Sequence, residues 1–332
     1  METWTTRKLL AWTTQHFEDK AIDSPRVAAE MLLGHVLGVP RLKLYMEPDR
    51  PASAEERDTF RALVARAGRH EPVDYLIGKA PFFSLEFRVT PAVLIPRPST
   101  ETIVEHVLQR TRPQTPPPEI PPGATADAHH SEAVIAEEVP EADRPEGEEP
   151  WRVRASTRDF RGRIADVCTG SGVIAIALAK HLPDATFVAT DLSEDALVVA
   201  RQNAEAHGVA DRIDFRQGDL LTPLGDERFD YLLSNPPYIG DAEWAEVLPN
   251  VKDYEPVAAL RSGADGLDHL RRLIAEAPGR VIPGGQALFE FSSTQTEAIS
   301  QLAGAATSWN NPIILKDHER LPRVLVVDAS QP

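Results

Sequence analysis

From Arg163 onward the chain repeats one rhythm, a short run of Val, Ile, Leu and Ala followed by a longer stretch with helical periodicity. "RIADVC" reads as a strand and "GVIAIALAKHL" as a helix. "ATFVATD" and "SEDALVVARQNAEAHG" repeat the pair. "RIDFRQGD" and "FDYLLSN" read as strands, "GLDHLRRLIAEAPGRV" as a helix, "GGQALFEF" as a strand, and "RVLVVDA" comes late. A strand that leaves through a helix returns parallel to itself, by a right-handed crossover. The rhythm therefore predicts an α/β fold with a doubly wound, mostly parallel, Rossmann-like sheet. Ligands of such sheets bind beyond the carboxyl ends of the strands, where the polar residues after each strand fall.

The first of those places is "DVCTGSGVIA", with Gly170, Gly172 and Ala175 at G-x-G-x-x-A spacing between a strand and a helix. Glycine permits a tight turn and close approach of a ligand to the backbone. Asp191 closes the next strand, where a carboxylate accepts from ribose hydroxyls. Asp219 closes the third in "RQGDLL", near the expected position of a nucleoside base. NAD enzymes share this loop and acid, so the pattern alone leaves the cofactor open. Cys168 reads as a core residue under the loop rather than as a nucleophile, since no His lies near it in sequence.

The tie is broken by "SNPPY", after the strand "FDYLL" and so on the same side as the glycine loop. A planar amide or base nitrogen has a delocalised lone pair and attacks poorly. A site that grips both of its N–H bonds with two fixed acceptors biases it toward pyramidal geometry. The Asn235 side-chain oxygen and the Pro236 carbonyl are candidates for that pair. Pro237 confines Pro236 to extended conformations, which fixes the carbonyl's direction. Tyr238 supplies a ring that packs on a planar group. The remaining task is in-line positioning against a sulfonium methyl. An Asn-Pro turn after a strand is the blander reading, and the placement after a glycine loop and two strand-end acids outweighs it.

Residues 1–75 read as a small helical domain. Ser24 is the expected N-cap of a helix with Pro25 at its first position, and Ser53 with Glu56 has capping-box spacing. Phe60, Leu63, Val64 and Ala67 share one face of that second helix. "PFFSLEFRVTPAVLI" (81–95) reads as a β-hairpin, within a linker spanning 76–98. Ser99 or Thr100 then caps a helix to about Arg110, and the larger domain runs 99–332.

Its interior holds an abrupt change at about 112–158. Between Pro113 and Pro150 stand nine prolines and ten acids against Arg144 alone, a net of −9 that leaves −7 on the rest of the chain. Such a segment cannot bury a core and reads as a disordered acidic insertion. "AHH" at 128–130 lacks a third ligand at metal spacing, so no metal site is expected. The total charge of −16 gives no basic footprint for nucleic acid. The single cysteine excludes a disulfide within the chain, and "METWTTRKLL" has no signal-peptide layout. No apolar run approaches membrane-spanning length. A soluble cytoplasmic protein is expected.

"DVCTGSGVIAIALA", Asp191, "GDLL" and "SNPPYI" together resemble the class I S-adenosylmethionine-dependent methyltransferases. More narrowly, "EPVDYLIGKAPFFSLEFRVTPAVLIPRPSTETIVE", "YEPVAALRSGADGL" and "LPRVLVV" resemble the bacterial release factor glutamine-N5 methyltransferases (the HemK/PrmC family). The resemblance implies S-adenosylmethionine as cofactor and the Gln of a GGQ motif in peptide chain release factors as substrate. It implies cofactor contacts from Cys168, Thr169, Gly170, Ser171, Gly172, Asp191, Asp219, Leu220 and Asn235. Asn235, Pro236, Pro237 and Tyr238 would bind substrate, with Asn235, Pro236 and Tyr238 catalytic. The helical N-terminus would dock the release factor, and the enzyme would be a monomer without direct nucleic-acid or membrane contact. Three departures stand out: Cys168 where the family usually has Gly, the insertion, and "FEFSSTQ" without the Gly common soon after the acid at 290. Rival readings are an adenine-N6 nucleic-acid methyltransferase, a ribosomal-protein glutamine methyltransferase, an NAD-dependent oxidoreductase and an inactive binding module. The last two leave "SNPPY" unexplained.

Overall fold

A computed structural model describes residues 3–111 and 160–330, so the acidic insertion, with His129 and His130, lies outside the described residues. The chain opens with five helices: α1 (Thr6–Asp19), α2 (Pro25–Leu37), α3 (Arg41–Met46), α4 (Ala54–Ala67) and α5 (Val73–Ile77). Their common core is built on Leu10, Phe17, Leu32, Leu33, Phe60 and Val64. The capping box of α4 is closed in both directions: Glu56 N–H donates to Ser53 Oγ at 3.1 Å and Ser53 N–H donates to Glu56 Oε2 at 2.8 Å. Ser24 does stand at the N-cap of α2. Its backbone is left-handed (φ 45°), however, and its hydroxyl makes no capping bond. Pro25 starts that helix unaided, because its missing N–H falls where no intrahelical partner exists.

A hairpin follows, β1 (Lys79–Phe82) against β2 (Leu85–Arg88), turning through Phe83 and Ser84 at φ 48° and 59°. Two consecutive left-handed residues match the twist of a two-residue hairpin. The pairing ends at Arg88, earlier than the sequence reading placed it. Beyond it Pro91 and Pro96 remove backbone donors and forbid a continued ladder. Val89, Val93 and Ile95 are buried all the same, in one apolar cluster with Ala196 and Val199. A short 3-10 turn (Pro98–Thr100) leads into α6 (Glu101–Arg110).

The larger unit holds β3 (Arg163–Val167), α7 (Val173–His181), β4 (Thr186–Asp191), α8 (Glu194–Ala206), β5 (Ile213–Gln217) and β6 (Phe229–Ser234). The short α9 (Pro249–Lys252), α10 (Asp268–Glu276), β7 (Val281–Glu290), α11 (Thr296–Ala305), β8 (Trp309–Lys316) and β9 (Pro322–Ala329) complete it. The sheet order is β5-β4-β3-β6-β7-β9-β8, with β5 to β7 parallel and β9 antiparallel to both of its neighbours. The doubly wound sheet is thus present. β3 starts at the centre, β4 and β5 build to one side, and β6 returns on the other. The reversal between β3 and β6 opens a crevice at their carboxyl ends. Residues Ile164–Val167 of β3 are fully buried, as a strand covered on both faces must be.

The sequence reading passed over β8 and α11. β8 is an edge strand exposed along much of its length, with two Asn and Pro312, so it lacks the alternation of a half-buried strand. α11 buries only Ile299 and Ala303, too little to write a clear stripe. Among the described residues no helix is long and apolar enough to cross a membrane.

Candidate active site

The glycine loop runs from β3 to α7 and forms one wall of a cleft of about 220 Å³ at the carboxyl edge of the sheet. Cys168, Gly170 and Gly172 have φ of 61°, 55° and 86°, all in the left-handed region. Gly172 is doubly constrained, since a Cβ there would meet Ile176 Cδ1 at 2.8 Å and Ala200 Cβ at 3.2 Å. The same backbone geometry gives a physical reason for glycine at position 168. Cys168 instead carries left-handed strain there. Burial pushes its thiol pKa up, so it stays protonated, although the residue is only partly buried and lines the cleft rather than lying under the loop.

Asp166, inside β3, braces the loop from beneath. Thr169 Oγ1 donates to its Oδ2 at 2.6 Å and Ala175 N–H donates to the same oxygen at 3.1 Å. Burial raises Asp166 to about 7. The carboxamide of Asn203, on α8, donates to Ser171 O at 2.9 Å and also bonds both backbone groups of Arg88. The loop is thereby tied to the hairpin.

Asp191 sits across the cleft floor from the loop. It accepts from Gly170 N–H and Ser193 N–H, each at 2.9 Å, and burial raises its pKa. A carboxylate has about four acceptor positions, so acceptor capacity remains for a ribose hydroxyl. Leu192 beside it is 62% exposed yet lines the cleft, an apolar face for a base. Asp219 also lines the cleft, with its carboxylate held by Arg272 at 2.7 and 3.3 Å. Leu220 follows in the left-handed region (φ 46°), and its carbonyl accepts from Thr190 Oγ1 at 3.3 Å.

The "SNPPY" segment continues β6. Ser234 Oγ donates to Val167 O at 2.7 Å and pins β6 to β3 beside the crevice. Asn235 Nδ2 donates to Thr100 Oγ1 at 2.9 Å. That bond uses one end of the carboxamide, and Oδ1 is the other. Asn235 and Pro237 line the cleft, as do Cys168, Thr169, Gly170, Ser171, Asp191, Asp219 and Leu220. Gly172 stands immediately behind this wall, at the N-cap of α7. Pro236 is buried, and the half-buried Tyr238 ring packs against the apolar cluster of Phe289 and Phe291. The Tyr238 phenol pKa is raised by burial and then by the charge of Glu290. Among the described residues no group of three His, Cys, Asp or Glu is placed to hold a metal.

Several residues that shape the site escaped the sequence reading in that role. Arg97 and Ile95 N–H both bond Glu255, which is 4% exposed. Ser99 Oγ donates to the buried Glu290 at 2.9 Å. Gln295 donates to Tyr238 O at 2.9 Å and to Asp265 O at 3.2 Å, joining the motif to the "SGADGL" turn. Gly266 in that turn approaches Tyr238 O so closely that a Cβ would lie 2.2 Å from it. His269 lines the cleft near Asp219, with Nδ1 at 2.7 Å from Ser262 Oγ. One signal was legible: Glu290 is a carboxylate ending the apolar run Ala287–Phe289.

Residues 8–78 match the PrmC N-terminal domain family and residues 153–249 match the Methyltransferase small domain family. A "Release factor glutamine methyltransferase" of Geobacter sulfurreducens is 38% identical over 298 residues, 90% of this chain and 88% of that one. One of Chlorobaculum tepidum is 37% identical over 326 residues, 97% of this chain and 96% of that one. A solved methyltransferase from Pyrococcus furiosus aligns with 83% of this chain and 99% of that one, at 14% identity and a TM-score of 0.44. Sheet, cleft and domain match define a methyltransferase whose cofactor is S-adenosylmethionine. More narrowly, the chain belongs to the release factor glutamine methyltransferase family.

Proposed function

We propose that this cleft methylates the side-chain amide nitrogen (N5) of the Gln in the GGQ motif of peptide chain release factors, with Asn235 as the residue that holds the reacting amide. When bound, S-adenosylmethionine supplies an electrophilic methyl on its sulfonium. Transfer of that methyl would form the new N–C bond at the expense of the C–S bond, and the amide nitrogen would give up one proton to solvent. Asp191 would hold the ribose, Asp219 and Leu220 would flank the base, and residues Cys168 to Gly172 would cradle the methionine end. Asn235 Oδ1 and the Pro236 carbonyl accept the two amide N–H bonds, while Pro237 and Tyr238 bound the site. The helical domain docks the release factor. The protein acts as a cytoplasmic monomer, on protein and not on nucleic acid or membranes. The observation that carries the residue assignment is the Asn235–Thr100 bond, which holds the Asn235 carboxamide at the wall of the cleft.

The test offers labelled S-adenosylmethionine with release factor, ribosomal protein and DNA in parallel. Label is expected on the release factor Gln alone. Label confined to DNA or to ribosomal protein overturns the substrate assignment.

A further inference from the structure

Asn235 has two faces of nearly equal shape. Turned one way it presents Oδ1 to the cleft; turned the other way it presents Nδ2–H₂, which repels a substrate amide NH₂. Its own chemistry does not choose between them. Thr100 does not choose either, since a hydroxyl both donates and accepts. It accepts from Nδ2 in one arrangement and donates to Oδ1 in the flipped one. The choice needs a group that can only accept.

That group stands next in line. Glu290, at the end of β7, is fully buried, accepts from Ser99 Oγ at 2.9 Å and has the Thr100 hydroxyl beside it. Its Oε2 makes no hydrogen bond among the described residues. We infer that Glu290 is a positioning residue: its ionised carboxylate accepts a hydrogen bond from the Thr100 hydroxyl, obliges Thr100 to accept from Asn235, and so holds Asn235 Oδ1 toward the substrate. The inference rests on the reading of Asn235 given above.

The chain of bonds then has a sense, Asn235 N–H to Thr100 O–H to Glu290. Protonating Glu290 reverses it, because the carboxylic acid can donate to Thr100 and release Asn235 to flip. Burial pushes Glu290 up to about 7, against the pull of Thr100, Ser99, Arg323 and Arg97. Arg323 faces it from β9 and Arg97 from the linker, and the Tyr238 phenol faces it from the motif itself. The reversal therefore falls near neutral pH. Neither the substrate amide nor the sulfonium titrates there.

The experiment is single-turnover methyl transfer at saturating release factor and S-adenosylmethionine, between about pH 6 and about pH 9. Cofactor affinity by calorimetry and thermal melting are measured alongside. Wild type is expected to gain activity through a limb near 7, the value to which Glu290 is raised. Glu290→Gln, whose amide imposes no sense, is expected to lose that limb and transfer about tenfold more slowly at high pH, with cofactor affinity unchanged. Thr100→Val is expected to fall about tenfold to a hundredfold and Thr100→Ser to recover most of it. A limb that persists in Glu290→Gln, or wild-type transfer by Thr100→Val, overturns the inference. If Glu290→Gln does not fold, a flat wild-type profile overturns it equally. Asn235→Ala run in the same assay separates the two levels. A dead Asn235→Ala beside an active Thr100→Val removes only the positioning chain, whereas an active Asn235→Ala removes the reading beneath it.

Discussion

The two ends of the cleft are built differently. At the cofactor end the contacts between the glycine loop and its two acids are made by neighbours in sequence or by adjacent strands. Gly170 bonds Asp191 across 21 residues, Thr169 bonds Asp166 across 3, and Asp191 bonds Ser193 across 2. At the acceptor end they join distant segments: Asn235 meets Thr100 across 135 residues, and Ser99 meets Glu290 across 191. A parallel sheet with short crossovers brings its own strand ends together, so the cofactor end assembles with the fold. The acceptor end needs the linker after the hairpin to be laid against β6 and β7. Two buried glutamates, Glu255 and Glu290, anchor it there. On the proposed function, the cofactor end serves binding and the acceptor end serves orientation of the reacting group.

If that division holds, substitutions at the two ends should part in their readouts. Asn235→Ala should leave cofactor affinity near wild type while single-turnover transfer falls 10²–10³-fold, about 3–4 kcal/mol, the usual cost of losing a preorganised contact at a reacting centre. Equal losses in binding and transfer would erase the contrast. Asp191→Ala should do the opposite. It removes a charged acceptor from the ribose and a partner from Gly170 N–H, so calorimetry should show affinity weakened by roughly 2–3 kcal/mol. Transfer at saturating cofactor should change much less. Unchanged affinity in a folded Asp191→Ala would take this residue out of the site.

A smaller effect is expected in stability against pH. Asp166 is raised from its ordinary value of 3.8 to about 7 by burial. Its neutral form is therefore favoured by the fold, and its contribution is whole below about 4 and is lost as pH rises to about 7. Asp166→Asn keeps an acceptor for Thr169 and Ala175 without titrating. Its urea midpoint should fall less than that of wild type between about pH 5 and about pH 7, by something on the order of 1 kcal/mol or more of the wild-type slope. Parallel curves for the two proteins would mean that the carboxyl is ionised without cost. The smallest expected effect is at Cys168. Replacing it with Gly relieves left-handed strain of about 1 kcal/mol or more and gives back part of that in lost packing and chain entropy. Cys168→Gly should melt no lower than wild type, with transfer within about twofold. A clear loss of melting temperature would show that the side chain's packing outweighs the strain.

Much of this architecture was legible beforehand, for reasons that differ by element. The parallel strands read clearly because both faces are covered, and burial on both faces demands continuous apolar runs. The capping box at Ser53 read correctly because its partners are three residues apart. At Ser24 the same residue type misled, since a left-handed backbone turned the hydroxyl away. β8 was invisible because, beyond Trp309, this edge strand is largely exposed and shows no alternation of buried and exposed residues. The hairpin was placed too late because Val89, Val93 and Ile95 look like strand residues. They are buried in the cluster with Ala196 and Val199 without pairing.

What the sequence determined by itself was whatever local geometry or period dictates: the α/β rhythm, the glycine turn, the acids at the ends of β4 and β5, and the conformational lock of two prolines after Asn235. Which way the Asn235 amide faces was left to the tertiary structure. That choice depends on hydrogen-bond partners brought from the linker and from β7, through a hydroxyl that can serve either sense and a carboxylate that can serve only one. No pattern along the chain encodes the meeting of Thr100, Asn235 and Glu290. Only packing the linker over the sheet makes it.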